Sequence, residues 1–126
     1  MNDNLPKTNS ESKNSLKASS LISNQSDGVQ AVLDDLGVKV IDIPSRADDR
    51  GLLGFLEFDS DLPFSPQRIF YISEVPQGKT RGEHAHHKCE QILICLTGTC
   101  EVEIDSSTTK LTVVLDSANV GIYLPP

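Results

Sequence analysis

The chain has 126 residues, 37% of them hydrophobic and 5% aromatic, with a formal charge of −7. That suits one domain with a modest core and speaks against nonspecific binding to nucleic acid. No stretch could span a bilayer, and Cys89, Cys95 and Cys100 are odd in number with no CxxC pair, so reduced, packing thiols in a cytoplasmic protein are expected rather than a disulfide or zinc framework.

Residues 1–26 contain seven serines and five asparagines, with apolar side chains only at Met1, Leu5, Leu16, Ala18, Leu21 and Ile22. Such a segment buries too little surface to offset its ordering entropy and reads as a disordered polar leader. It has neither the apolar run of a secretory signal nor the arginines of a transit peptide. The domain is expected over residues 27–126. Val29, Val32, Leu33 and Leu36 fall at i, i+3, i+4 and i+7, which predicts a short amphipathic helix with Asp27 as N-cap and Gly37 as its stop.

Beyond Gly37 the period changes to two. Residues 38–43, 52–58, 67–74, 90–97, 99–104, 109–115 and 119–124 read as short strands rich in Val, Ile, Leu, Phe and Tyr. Turn signals lie between them, including "PSRADDRG", "DSDLPFSP" and "VPQGKTRG". Seven short strands without crossover helices predict an all-β sandwich or barrel. The closing "VGIYLPP" reads as a strand entering a turn. An open sheet edge there is a liability, so the barrel is expected either to be incomplete at its C-terminal end or to close through another chain.

All three histidines, His84, His86 and His87, lie in "RGEHAHHKCEQ". In a strand, residues two apart share a face, so His84 and His86 can point inward together while His87 points out and stays solvated. The motif G-x5-H-x-H-x3,4-E-x6-G of metal-binding cupins fits Gly78, His84 and His86, but counting back from Gly98 places Gln91 in the glutamate slot. If Gln91 faces inward with Leu93 and Cys95, Glu90 faces out. An amide is a poorer metal ligand than a carboxylate, and two imidazoles fall short of the three protein ligands of a catalytic site. No metal is therefore expected. Imidazole, with an unperturbed pKa of about 6.5, can instead exchange protons near neutral pH. A solvated histidine pair at a strand end is the competing reading.

The stretches "RGLLGFLEF", "PFSPQRIFYI", "RGEHAHHKCEQILICLTGTCEVEID" and "LDSANVGIYLPP" resemble, in order and spacing, the dTDP-4-keto-6-deoxyglucose 3,4-ketoisomerases. These are WxcM-like cupins with an RmlC-like jelly-roll barrel, and the resemblance spans residues 38–126. It implies a homodimeric isomerase of deoxysugar biosynthesis that needs no cofactor. Its substrate would be a dTDP-linked 4-keto-6-deoxy sugar, whose keto group moves from C4 to C3. The two histidines of the H-A-H motif map onto His84 and His86, with the base role leaning to His86 and an acid or shuttle role to His84. Members of that family continue past the "PP" with a further strand and a C-terminal helix.

Around the pair, four side chains are expected to contact substrate. Arg81 can grip a diphosphate bidentately, and a bend at Gly82 would bring it into phase with His84. Arg68 would take an anionic partner, Tyr71 could offer its phenol to a sugar oxygen, and Gln91 can hydrogen-bond a sugar or orient a histidine. Three other readings stand beside the isomerase: a truncated, non-catalytic sugar-nucleotide-binding cupin, a related sugar-nucleotide epimerase, and a metal-dependent cupin oxygenase.

Overall fold

The computed structural model describes residues 15–23 and 27–126. In chain order the elements are β1 (Ser15–Lys17), α1 (Ala18–Ser23), α2 (Asp27–Asp35), β2 (Lys39–Asp42), β3 (Ser45–Asp48), β4 (Gly51–Gly54), β5 (Gln91–Ile94), β6 (Cys100–Asp105), β7 (Lys110–Leu115) and β8 (Val120–Leu124). The expected helix is α2, and it stops where its glycine requires. Gly37 takes φ +66°, its N–H donates to the Asp34 carbonyl at 3.0 Å, and Val38 N–H donates to the Leu33 carbonyl at 2.9 Å. Both bonds satisfy carbonyls that the helix end would otherwise orphan. Leu33 and Val38 are both buried, so the turn also seals the core.

Strands dominate, as expected of an all-β chain, and they fall into three sheets. β8 is the centre of one, antiparallel to β2 on one side and to β5 on the other, with Ile122 opposite Val40 and Leu93. β7 is the centre of the second, antiparallel to β6 and parallel to β1. β3 and β4 form a separate hairpin. Leu111, Val113 and Leu115 of β7 and Val120 and Ile122 of β8 pack with Leu33, Val38, Ala18 and Leu21 in one core. Five consecutive β7 residues, Leu111 to Leu115, are buried, as befits a strand covered on both faces.

Four features depart from the sequence-based expectations. Residues 15–23, part of the expected polar leader, form β1 and α1, because Leu16, Ala18 and Leu21 present enough apolar surface to dock on β7 and β8. Residues 1–14 and 24–26 of that leader lie outside the described residues. The "PSRADDRG" turn is longer in structure than a turn: its first half is β3, and the reversal itself is confined to Asp49 and Arg50. Asp48 holds it by accepting from Arg50 N at 2.9 Å and from Arg50 Nε at 3.1 Å, and Gly51 supplies the positive φ of 124°.

Residues 67–74 form no strand. They are exposed throughout, and no ladder partner lies beside them among the described strands. Alternating apolar side chains cannot make a strand when the backbone has no neighbour to bond. The histidine segment is likewise not extended in a sheet. From Phe55 to Glu90 the chain runs without a strand, leaving only 52–54 of the expected 52–58 strand paired, within β4.

Candidate active site

The backbone bends sharply ahead of the histidines. Gly82 takes φ +98° and Glu83 φ +56°, two successive residues in the region that glycine visits freely and other residues enter at a cost of about 1–3 kcal/mol. The bend expected at Gly82 is there, one residue longer than anticipated. It turns the Gly82 carbonyl back onto the ring that follows: His84 Nδ1 lies 2.7 Å from Gly82 O. A carbonyl only accepts, so His84 Nδ1 carries a proton, and the neutral ring keeps its lone pair on Nε2.

His84 and His86 are brought together despite the absence of a strand. Their ring centroids are 4.7 Å apart at 77°, an edge-to-face pair. His86 is half-buried and His84 and His87 are exposed. His86 Nε2 lies 3.3 Å from the Gln91 amide nitrogen. A glutamine amide can donate to Nε2 or, turned over, accept from it. Either way Nε2 is the anchored atom and Nδ1 faces away from the anchor. Each ring thus has one nitrogen held by the protein and one left for chemistry, Nε2 on His84 and Nδ1 on His86.

Gln91 opens β5 opposite Leu124. Strand alternation places it on the face of Leu93 and Cys95, both of which pack on the core. Glu90, on the other face, accepts a hydrogen bond from Tyr123 Oη at 2.8 Å. The carboxylate accepting its proton holds the Tyr123 phenol above its ordinary range, with burial adding to the effect. Phe64 packs at 6.1 Å from the Tyr123 ring, and Lys39 Nζ sits 5.7 Å over it. Nothing in the sequence pointed to this cluster, since it depends on the register of β8 against β2 and β5.

The three remaining expected contacts stand apart. Arg68, Tyr71 and Arg81 are exposed, and no hydrogen bond or ring contact among the described residues joins them to the histidines. Arg68 places its guanidinium 5.8 Å from the centre of the Phe70 ring, rather than on an anionic side chain. Among the described residues no group of three His, Cys, Asp or Glu side chains is arranged to hold a metal ion. Cys89, Cys95 and Cys100 are free thiols.

Comparison with known proteins places this geometry in context. Residues 36–126 match the family model described as FdtA: WxcM-like, C-terminal. The chain is 41% identical over 88 residues to a TDP-4-oxo-6-deoxy-alpha-D-glucose-3,4-oxoisomerase of Aneurinibacillus thermoaerophilus, an alignment that covers 70% of this chain and 63% of the relative. Among solved structures it resembles the sugar 3,4-ketoisomerase QdtA of Thermoanaerobacterium thermosaccharolyticum in complex with TDP, with a TM-score of 0.69 and 35% identity over 71% of this chain and 65% of that one. It also resembles a variant of that enzyme, with one histidine replaced by asparagine, in complex with TDP-4-keto-6-deoxyglucose. That match has a TM-score of 0.69 and 34% identity over 71% and 64% of the two chains. The chain therefore spans less than two thirds of the length of these relatives, yet the family model covers most of it and includes both histidines of the pair. On that match, the chain belongs to the FdtA (WxcM-like, C-terminal) family, and its fold is that of the cupin-type 3,4-ketoisomerases.

Proposed function

We propose that this protein acts in deoxysugar biosynthesis as a 3,4-ketoisomerase of a dTDP-linked 4-keto-6-deoxyhexose. The observation that carries this reading is the His84–His86 pair, two imidazoles in ring contact, each with one nitrogen anchored and one available. The proteins it resembles are named as 3,4-ketoisomerases, and one of them was captured with the keto sugar after loss of a histidine.

The reaction moves two hydrogens, in four proton transfers, without net gain or loss. The C3 hydrogen, acidified by the neighbouring C4 ketone, leaves as a proton to His86 Nδ1, while O4 is protonated to give an enediol. The O3 proton then departs and C4 receives one, so the carbonyl ends at C3. His84, with its basic Nε2, suits the oxygen-to-oxygen half of this exchange. Gln91 supports the other half when its amide is turned so that Oε1 accepts from His86 Nε2–H, which leaves Nδ1 as the base and steadies the charged ring, much as a carboxylate steadies the imidazolium of a hydrolase triad. General acid–base steps of this kind contribute about 10²–10⁴-fold each.

No metal or other cofactor takes part in the proposed chemistry, and protein treated with a chelator is expected to keep its full rate. The active unit is a homodimer in the cytoplasm, with no nucleic-acid or membrane partner. Incubation with dTDP-4-keto-6-deoxyglucose, followed by NMR of the sugar ring, tests the proposal: a 3-keto product is expected from the wild type and none from His86→Asn. Unchanged substrate in a folded sample would overturn it.

A second reading is binding of the sugar nucleotide without turnover. It is favoured by the exposed, ungathered positions of Arg68, Tyr71 and Arg81. Calorimetry with dTDP would then give saturable heat while the NMR experiment gave no product.

A further inference from the structure

His86 is anchored by Gln91 alone among the described side chains, and Gln91 is the first residue of β5. A strand's first residue sits where pairing begins and fraying is easiest, and here the preceding segment offers no ladder of its own. Something has to fix the entry of the chain into β5 for Gln91 to hold a constant position.

The opposite face of the same sheet supplies it. Tyr123 pairs with Ile92 on one side and Lys39 on the other, so its side chain lies on the Glu90 and Ile92 face, away from Gln91. Its hydroxyl donates to Glu90 Oε1 at 2.8 Å, a charge-assisted bond of the stronger kind. Tyr123 is only 8% exposed, with Phe64 against its ring and Lys39 Nζ above it. The hydrogen bond is thus part-buried, flanked by side chains from β2 and from the strandless segment, and it ties the residue just outside β5 to the central strand of the sheet. Fixing Glu90 in this way fixes the direction in which Gln91 leaves the other face.

We propose that Tyr123 and Glu90 are positioning residues, a strut across β8 and β5 that holds the Gln91 amide against His86 and so sets the hydrogen-bonded state of that ring. The catalytic part of this inference rests on the proposed isomerase activity; the effect on the ring does not.

The test reads the histidine rings directly. In ¹⁵N-labelled full chain, the three imidazoles are assigned by single His→Asn substitutions and followed by long-range ¹H–¹⁵N correlation. Tyr123→Phe and Glu90→Ala are expected to move the His86 ring nitrogens toward the values of a free, tautomer-averaged imidazole while leaving His87 unmoved. Glu90→Gln, which keeps an acceptor for the phenol, is expected to restore the wild-type His86 signals. If turnover is present, both disruptive variants should lower kcat about ten-fold with KM within about two-fold, and neither should add to the effect of Gln91→Ala, since they act through it. His86 signals unchanged in Glu90→Ala, a milder change than loss of the phenol, would overturn the strut whether or not the protein turns over substrate. Absence of turnover in the wild type with the ring shifts present would instead overturn the isomerase reading and leave the strut standing.

Discussion

At the residue scale the site is defined by what each imidazole cannot do. His84 cannot offer Nδ1 as a base while the Gly82 carbonyl accepts its proton, and His86 cannot offer Nε2 while Gln91 holds it. Replacing that amide by a carboxylate would leave only an acceptor beside Nε2: Gln91→Glu is expected to fix the proton of His86 on Nε2, read from long-range ¹H–¹⁵N correlation of its ring. The same substitution would set two imidazoles and a carboxylate side by side, and measurable zinc affinity is expected where the wild type shows less. The Tyr123 phenol gives a pH effect. Its pKa is raised in the folded chain, so its contribution to stability is complete below the ordinary phenol pKa of about 10 and is lost as pH climbs through the higher folded value. Thermal melts between pH 8 and 11.5 should show a steeper alkaline loss in the wild type than in Tyr123→Phe, with Glu90 and Lys39 the charged groups facing the ring. Gln91 was legible in the sequence because a motif count from Gly98 landed on it. Glu90 and Tyr123 were not, because their meeting depends on a cross-strand register that no local pattern encodes.

Glycine decides two features at the scale of elements. A Cβ at Gly37 would demand a left-handed alanine and would lie 3.1 Å from Pro125 Cγ, so Gly37→Ala is expected to cost about 1–2 kcal/mol, measured by urea unfolding. At Gly121 the obstacle is packing rather than φ. An added methyl would stand 3.0 Å from the Leu93 carbonyl and 3.2 Å from Ile94 Cγ1, wedging β5 from β8; Gly121→Ala is expected to destabilise the fold and to disturb the His86 signals as well. Helix α2 and the strands of the two larger sheets other than β1 were readable, since Val and Ile alternate there and a glycine stops α2. The β3 strand was not, because Ser45, Arg46, Ala47 and Asp48 carry no apolar alternation and all remain exposed. β1 escaped notice for the opposite reason. Its one inward residue, Leu16, is surrounded by serine, asparagine and lysine, and its docking depends on an edge of β7 that exists only once the sheet has formed.

For the molecule as a whole, the distribution of apolar surface is uneven. The core around β7 and β8 is well buried, whereas Leu53, Ile69, Tyr71, Ile72 and Leu96 are each more than half exposed. Large apolar side chains left in solvent are the material of contact surfaces, and it is from these that the proposed homodimer would draw its interface. Sedimentation at micromolar concentration should give a dimer, and Leu53→Asp should shift it toward monomer while leaving the far-ultraviolet spectrum unchanged. The pairing of β2 with β8 has one more consequence. It joins an early strand to a late one across almost the whole described chain, and the histidines lie inside the loop so closed. During synthesis at about 5–20 residues per second, the Gln91 that holds His86 cannot take its place in the sheet until β8 has emerged. The order of assembly therefore runs from the perimeter inward: the growing chain carries His86 beside an unplaced Gln91 until the sheet has formed.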